Sequence, residues 1–300
     1  MAEFVLSAFA DEASQSVEGQ IAALVENGIN YIEPRIVEGR GILLLEEEEI
    51  IDMKRKLDAA KIKVGSLGSP IGKFDIEECF EDQLVKFEKA LRICEIFETK
   101  RMRIFSFYLP RERRSEYRDE VMKRLSKFVE IAAERGITIC HENEANIYGQ
   151  TPEDVEDILN TVKGIKGIFD PANYCVVGSD PVKGIDVTLP HLEYVHIKDA
   201  LMDGRPETKD GMVIVAAGDG DGKIGEALDK INTAYDRTVI LTLEPHLFNS
   251  RAFQGVDQRT LKGQRAFSNE REAFDAAVSA MRKLMKDYGY VEKDGKFTKG

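Results

Sequence analysis

Cysteine and histidine are scarce, four of each in 300 residues, and each scarcity excludes something. Cys79, Cys94, Cys140 and Cys175 form no C-x-x-C pair. A zinc cluster or a disulfide framework is therefore not expected, and the thiols read as reduced and partly buried in a cytosolic protein. Long apolar runs are missing too: none approaches the ~18 residues a membrane span needs. The opening MAEFVLSAFADE has no basic segment followed by an apolar stretch and a small-residue cleavage site. A secretion signal is not expected, and the cytoplasm is the expected location. Positive charge is in deficit, 42 Lys and Arg against 54 Asp and Glu, for a formal net charge of −12. Nucleic-acid binding rests on neutralising phosphates with Lys and Arg, so this chain starts at a disadvantage there.

What is present is a regular alternation. Short apolar runs predict strands at Phe4–Phe9, Asn30–Arg35, Lys63–Leu67, Arg101–Phe107, Thr138–Asn143, Gly167–Asp170, Tyr194–Lys198 and Thr238–Glu244. Amphipathic patterns predict helices at Val17–Asn27, Glu46–Ala60, Phe80–Phe97, Ser115–Arg135, Pro152–Val162, Ile224–Ala234 and Ser268–Tyr288. Between strands six and seven, Pro181–Pro190 has room only for a poor helix. Ser16 and Thr151-Pro152 suit helix starts, and Gly28 and Gly136 suit helix stops. The run Glu46–Glu49 reads as a solvated first helical turn. Repeated βα units imply a parallel sheet, and eight of them imply closure into a (β/α)8 barrel, class α/β. With 43% hydrophobic residues one large core is within reach. The expected organisation is one domain, 1–290, and a surface tail, 291–300. Arg251–Arg265 is expected to be a loop over the mouth.

Active sites of such barrels lie at the C-terminal ends of the strands. Strands five to eight end in Ile-Cys-His-Glu, Ile-Phe-Asp, Tyr-Val-His-Ile-Lys and Leu-Thr-Leu-Glu. They bring Glu142, Asp170, His196 and Glu244 to one level. The period of two puts Lys198 on the face of His196, His246 on that of Glu244 and Glu144 on that of Glu142. His141 has the opposite parity and is expected to be structural, and His191 is given no role. Three acids around an imidazole concentrate negative charge in a buried place, which a divalent cation relieves. Oxygen-rich ligation with one imidazole favours Mn2+, Mg2+ or Co2+, with Zn2+ or Fe2+ also compatible. A structural alternative is salt bridges to Lys198, Arg35 and Arg103. It suits any one of the acids taken singly, but suits all of them together less well than a metal does.

Six segments resemble the xylose-isomerase-like barrel superfamily, in its sugar phosphate isomerase/epimerase branch. They are Ala8-Phe9-Ala10-Asp11-Glu12, His141-Glu142-Asn143, Phe169-Asp170-Pro171-Ala172-Asn173, Val195-His196-Ile197-Lys198-Asp199, Gly218-Asp219-Gly220 and Leu243-Glu244-Pro245. The resemblance implies one divalent metal on Glu142, Asp170, His196 and Glu244. It also implies Glu142 and Glu244 as the acid/base pair of an epimerase, which acts by proton transfer next to a carbonyl through a stabilised enediolate. The substrate implied is a small sugar, polyol or sugar phosphate, with Lys198, His246, Glu33, Arg35, Asn173, Ser66 and Arg251 as candidate contacts. Two positions differ from the epimerase members. Asn173 stands where they often carry His, and Lys198-Asp199 follows the strand-seven histidine where they commonly place Arg. Aldose–ketose isomerase, inosose-type dehydratase and phosphosugar readings stay open.

Gly218–Gly222 invites reading as a phosphate cradle, but Asp219 and Asp221 would repel phosphate, so a turn before a helix is expected. Lys223 and Lys230 break the calcium-loop pattern. If phosphate is bound, Arg251, Arg259 and Lys262 are the better candidates. A DNA-repair endonuclease of the same superfamily would need extra histidines, and Ser66, Ser106 and Asn173 occupy those places. A non-catalytic sugar-binding barrel is disfavoured by the completeness of the ligand set. A homo-oligomer is compatible with the sequence.

Overall fold

The apolar runs become short parallel strands because each is covered on both faces, by helices outside and by side chains inside. The computed structural model describes residues 1–209, 211–248, 261–262 and 267–299. Its barrel strands are β1 (Glu3–Ala8), β2 (Tyr31–Ile32), β3 (Lys63–Val64), β4 (Arg101–Ile104), β5 (Thr138–Glu142), β6 (Lys166–Phe169), β7 (Leu192–Ile197) and β8 (Thr238–Leu243). Parallel pairing runs β1–β8–β7–β6–β5–β4, with β2 pairing β3. Isolated backbone bonds outside the continuous ladders join the two remaining seams. Glu33 N–H donates to Ala8 O at 3.0 Å, and Leu67 N–H donates to Arg101 O at 3.0 Å. The eight predicted strands are thus present in a closed ring, though β2 and β3 are shorter than expected. Beyond Ile32 and Val64 the chain keeps isolated bonds to its neighbours rather than a continuous ladder.

Parity divides the strands. Phe4, Leu6, Ala8, Val195, Ile197, Val239 and Leu241 pack outward beneath the helices. Val5, Cys140, Ile168, Tyr194 and Ile240 fill the interior as a separate core. That inner plug closes the lower barrel, so the polar residues one step up each strand look into a cup open at the C-terminal end.

The helices are α1 (Val17–Glu26), α2 (Glu47–Ala59), α3 (Phe80–Phe97), α4 (Arg118–Glu134), α5 (Pro152–Thr161), α6 (Pro171–Val176), α7 (Pro181–Thr188), α8 (Ile224–Ala234) and α9 (Glu270–Asp287). On α3 the buried Phe87, Ala90, Leu91, Cys94 and Phe97 recur at helical spacing and face the sheet. Ser16 caps α1 by accepting from Gly19 N–H, and Thr151 caps α5 by accepting from Asp154 N–H. Gly28 and Gly136 sit at φ +62° and +63°, in the left-handed stop expected of them. The short segment before β7 holds the helix α7. Its start is fixed by Pro181 and by Asp180, which accepts from Val182 N–H at 2.8 Å.

Two features escape the sequence reading. After β7 the chain pairs Asp199–Ala200 with Met212–Val215, and this hairpin lies parallel to Leu261–Lys262. The C-terminal residues, expected as a surface extension, form the hairpin Tyr290–Lys293 and Lys296–Lys299 around Asp294-Gly295, both in left-handed backbone conformation. It adds antiparallel to β1 and buries Phe297, which is 2% exposed. Most of its other side chains face solvent. Among the described residues no helix is long and apolar enough to cross a membrane.

Candidate functional site

Glu142 ends β5, Asp170 follows β6, His196 lies near the end of β7 and Glu244 follows β8. The ladders fix their level. His196 pairs with Thr242 across β7 and β8, and Glu142 pairs with Ile168 across β5 and β6. All four residues are buried, and one ligand atom from each lies within 4.8 Å of the others. Donors bound at about 2.0–2.3 Å to one ion lie at most about 4.6 Å apart, so a few tenths of an ångström of contraction would seat a cation. Asp170 is held by its place at the α6 N-terminus: Oδ1 accepts from Asn173 N–H at 3.1 Å. Asn143 ties the strand ends together, donating to Asp170 O and accepting from Asp170 N–H, both at 2.9 Å.

Each glutamate divides its two oxygens. Glu142 turns Oε1 to His196 Nδ1 at 3.1 Å and Oε2 to Arg103 at 3.2 Å. Glu244 turns Oε2 to His196 Nδ1 at 3.4 Å and Oε1 to Arg35 at 2.8 Å and His246 Nε2 at 3.3 Å. Lys198 sits 2.8 Å from Asp170 Oδ2 and 3.6 Å from Glu244 Oε2. The four residues thus share one centre, with cations arranged around it.

The donor set suits a divalent ion. His196 Nδ1, Asp170 Oδ2 and Glu244 Oε2 are buried, and none makes a directed hydrogen bond. Their partners are ion pairs, with Lys198 on Asp170 and His196 between the glutamates, and a divalent cation could take their place. Burial pushes the Asp170 carboxyl up to about 7 despite Lys198 beside it. Burial also works to raise Glu142, but His196 and Arg103 outweigh it and hold the carboxyl below its usual range. Glu244 is held well below its range, as Lys198, His196 and His246 overcome burial. Burial disfavours charge on His196, but Glu142 and Glu33 prevail and raise it well above an ordinary imidazole. A proton on His196 thus does part of what a metal would do.

The cup opens into a cavity lined in part by Arg35, Lys73, Arg103, Phe105, Glu144 and His246. Asp11 and Glu12, just after β1, hold two of these cations. Asp11 accepts from Arg35 at 2.8 Å, and Glu12 lies 3.0 Å from His246 Nδ1 and accepts from its backbone N–H at 2.7 Å. Arg35 and Arg103 both lie over the Phe9 ring. Of the expected substrate contacts, Arg35, Lys198 and His246 face this cavity. Glu33, Ser66 and Asn173 do not. Glu33 is fully buried beneath His196, Ser66 lies against Tyr194 at 3.0 Å, and Asn173 donates to Asn143 O at 2.9 Å. These three belong to the wall because β2, β3 and α6 turn their polar atoms toward neighbouring elements. Arg251, Arg259 and the side chain of Lys262 lie outside the described residues.

Lys73, outside the candidates drawn from the sequence, lies over Phe105 and pairs with Glu144 at 3.1 Å. Nothing in its local sequence marks it. Asp11 and Glu12 carry a local signal, two acids at a strand's C-terminal end within the Ala8–Glu12 motif. His141 faces the helix layer, as its parity requires. It pairs with Ser106 at 2.9 Å and presses on Gly149, where a Cβ would come within 2.3 Å of the ring. Burial lowers His141 to about 4, leaving it neutral.

The Gly-rich stretch proves to be a nest for a carboxylate of the chain itself. Asp199 accepts N–H bonds from Gly218, Gly220, Gly222 and Ala200 at 2.9–3.1 Å. A Cβ on Gly220 would lie 2.3 Å from Asp199 Oδ1, so the close approach needs glycine there.

A family model described as xylose isomerase-like TIM barrel matches residues 21–254. The chain belongs to this family. Among curated proteins, none matches the sequence. Solved structures share the xylose isomerase-like fold at low identity. An IOLI protein with a bound zinc atom superposes with a TM-score of 0.73 at 15% identity, over 95% of this chain and 99% of that one. The probable 3-DHS dehydratase AsbF of Bacillus anthracis gives 0.67 at 15%, over 94% and 99%. A D-tagatose 3-epimerase-like protein gives 0.65 at 16%, over 94% and 99%. This chain also covers 43% of a xylose isomerase-like TIM barrel/4-hydroxyphenylpyruvate dioxygenase fusion protein, with a TM-score of 0.71 at 16% identity over 96% of this chain. At such identities the likeness carries the fold alone.

Proposed function

We propose that this protein is a divalent-metal-dependent sugar isomerase or epimerase. It transfers a proton at the carbon next to a carbonyl of a small polyhydroxy substrate, free or phosphorylated. The observation that carries this reading is the divided glutamate pair, with one oxygen of each on a common centre and the other on the cation-lined side. Glu142, Asp170, His196 and Glu244 would hold the ion, with Mn2+, Mg2+ or Co2+ favoured by their oxygen-rich set. When bound there, a divalent ion supplies stabilisation of the negative charge that develops on the substrate oxygens.

The chain's own residues do the rest. Glu142 takes the proton from the carbon beside the carbonyl. The C–H electron pair becomes the C=C of an enediolate, and the former carbonyl carries the charge. Glu244 returns a proton to the opposite face, and the two carboxyls reset by exchange with solvent. Lys198 and His246 donate to substrate oxygens, and Arg35 and Arg103 keep both glutamates ionised and aimed. The zinc atom in the IOLI structure and the epimerase-like and dehydratase relatives support a metal and this class of substrate.

The test is incubation of the Mn2+-loaded protein in D2O with a panel of ketoses, inososes and their phosphorylated counterparts, read by NMR. Loss of the C–H signal next to the carbonyl in at least one compound is expected. Turnover without deuterium uptake would replace proton transfer by a hydride shift. Silence across the panel with both Mn2+ and Co2+ would remove the reading.

A further inference from the structure

A histidine can offer either ring nitrogen to a metal, and which one it offers is set by what holds the other. Here Nδ1 of His196 faces Glu142 and Glu244, while Nε2 lies 3.3 Å from Glu33 Oε2. The other Glu33 oxygen accepts from Tyr194 Oη at 2.7 Å, and Tyr194 Oη lies 3.0 Å from Ser66 Oγ. Glu33 is 0% exposed. It does not line the cavity. The plane of the His196 ring is fixed as well. Phe9 meets it edge-on at 5.1 Å and 74°, and Tyr194 meets it at 5.3 Å and 65°.

We propose that Ser66, Tyr194 and Glu33 form a buried array that holds His196 with Nε2 on Glu33 and Nδ1 on the centre of the cup, making Glu33 a positioning residue for metal capture. The proposal rests on the metal reading above and goes beyond its four ligands. A carboxylate behind an imidazole orients the ring and makes its free nitrogen a better donor. The consequence is selective. Borderline ions such as Co2+ draw much of their affinity from imidazole, whereas Mg2+ prefers oxygen and gains little from a more basic nitrogen. Glu33 therefore tilts the site toward ions that favour nitrogen.

The experiment titrates the full-length chain with Co2+ and with Mg2+, followed by calorimetry and by the visible absorption of bound Co2+. Glu33→Gln is expected to weaken Co2+ by about 10- to 100-fold and Mg2+ by less than about threefold. Tyr194→Phe, which frees one side of Glu33, should shift the same ratio by a smaller factor and perturb the Co2+ spectrum. Equal losses for both ions, or no loss for either, overturn the proposal. Should Glu33→Gln fail to fold, Tyr194→Phe decides by the same ratio. If the unaltered chain binds neither ion, the metal centre itself falls and the array's role with it. If it binds both and the ratio does not move, only the array's role falls.

Discussion

Two buried carboxylate sites flank the C-terminal end of one strand, entered from adjacent residues, and are satisfied in opposite ways. Lys198 faces the cup, where three acids share cations with one another and three ligand atoms lack a directed hydrogen bond. Asp199 faces the loop after Val215 and accepts backbone N–H bonds from four residues. In the nest the partners are peptide groups, which neither titrate nor leave. In the cup the partners are long side chains with alternatives, and a ligand can replace them. A site built for permanence uses backbone donors, and a site built for exchange leaves atoms unspent. Stability and activity should therefore separate cleanly between the two.

The largest effect expected is on activity. Glu244→Gln should lower the rate of C–H exchange by about 10^3-fold, roughly 4 kcal/mol, because the isosteric amide cannot carry the proton. The unfolding free energy of the metal-free protein should fall by less than the roughly 3 kcal/mol of an uncompensated buried charge, because Arg35 keeps Asp11 and Lys198 keeps Asp170 as counter-ions. A large loss of stability on this change would show that the cup is a structural salt-bridge cluster, and the contrast would collapse.

Next comes the nest. Asp199→Ala strands several buried amides, and water can satisfy only part of them. It should cost about 3 kcal/mol, at roughly 1–3 kcal/mol for each buried donor left unpaired. By calorimetry that is a drop of roughly 5 °C in Tm for a chain of this size. Mn2+ affinity should hold. Weakened Mn2+ binding without a fall in Tm would tie the nest to the centre and erase the distinction.

The barrel and the cup were legible in the sequence for the same reason. Alternation with a period of two places residues inside or outside, so the parity of His141, Glu142, His196 and Lys198 could be read before any contact was known. The structure bears this out for His141 against Ser106 and for His196 in the cup. What could not be read were contacts set by where loops return. Lys73 reaches Glu144 from 71 residues away, and Glu33 ends under His196 because β2 stops at Ile32. The Asp199 nest was half visible. The glycines announced a tight turn and the neighbouring acids spoke against phosphate, but nothing local showed that an acid 19 to 23 residues upstream would fill it. The tail hairpin carried the Asp294-Gly295 turn signal, yet its exposed strands gave little apolar pattern to extend it.

A smaller effect sharpens the contrast from the ligand side. Mn2+ at 100 times its Kd should stabilise the native chain by about 2.7 kcal/mol, because the unfolded chain holds no such centre. Differential scanning calorimetry with and without Mn2+ measures it. The gain should persist in Asp199→Ala and disappear in Glu244→Gln. A gain retained by both variants would mean that Mn2+ binds outside the cup.

The smallest effect falls on the residue that joins the two modes. Asn173 behaves like the nest toward Asn143, donating to its carbonyl at 2.9 Å, and like the cup toward Glu142, whose Oε1 lies 3.4 Å from the same Nδ2. The short distance marks the backbone contact as the stronger, so Asn173 is first a brace for the strand end. Asn173→Ala should cost about 1 kcal/mol of stability, the usual worth of one neutral hydrogen bond. Its effect on Mn2+ affinity should be smaller still, because Glu142 keeps Arg103 on its other oxygen. Asn173→His offers a partner to Glu142 but cannot repeat the amide's bond to Asn143 O with the same reach. It should therefore lose the same stability while altering Mn2+ affinity more than alanine does. If alanine instead weakens Mn2+ strongly and leaves Tm alone, Asn173 belongs to the centre, and the boundary between brace and cup lies one residue deeper in α6.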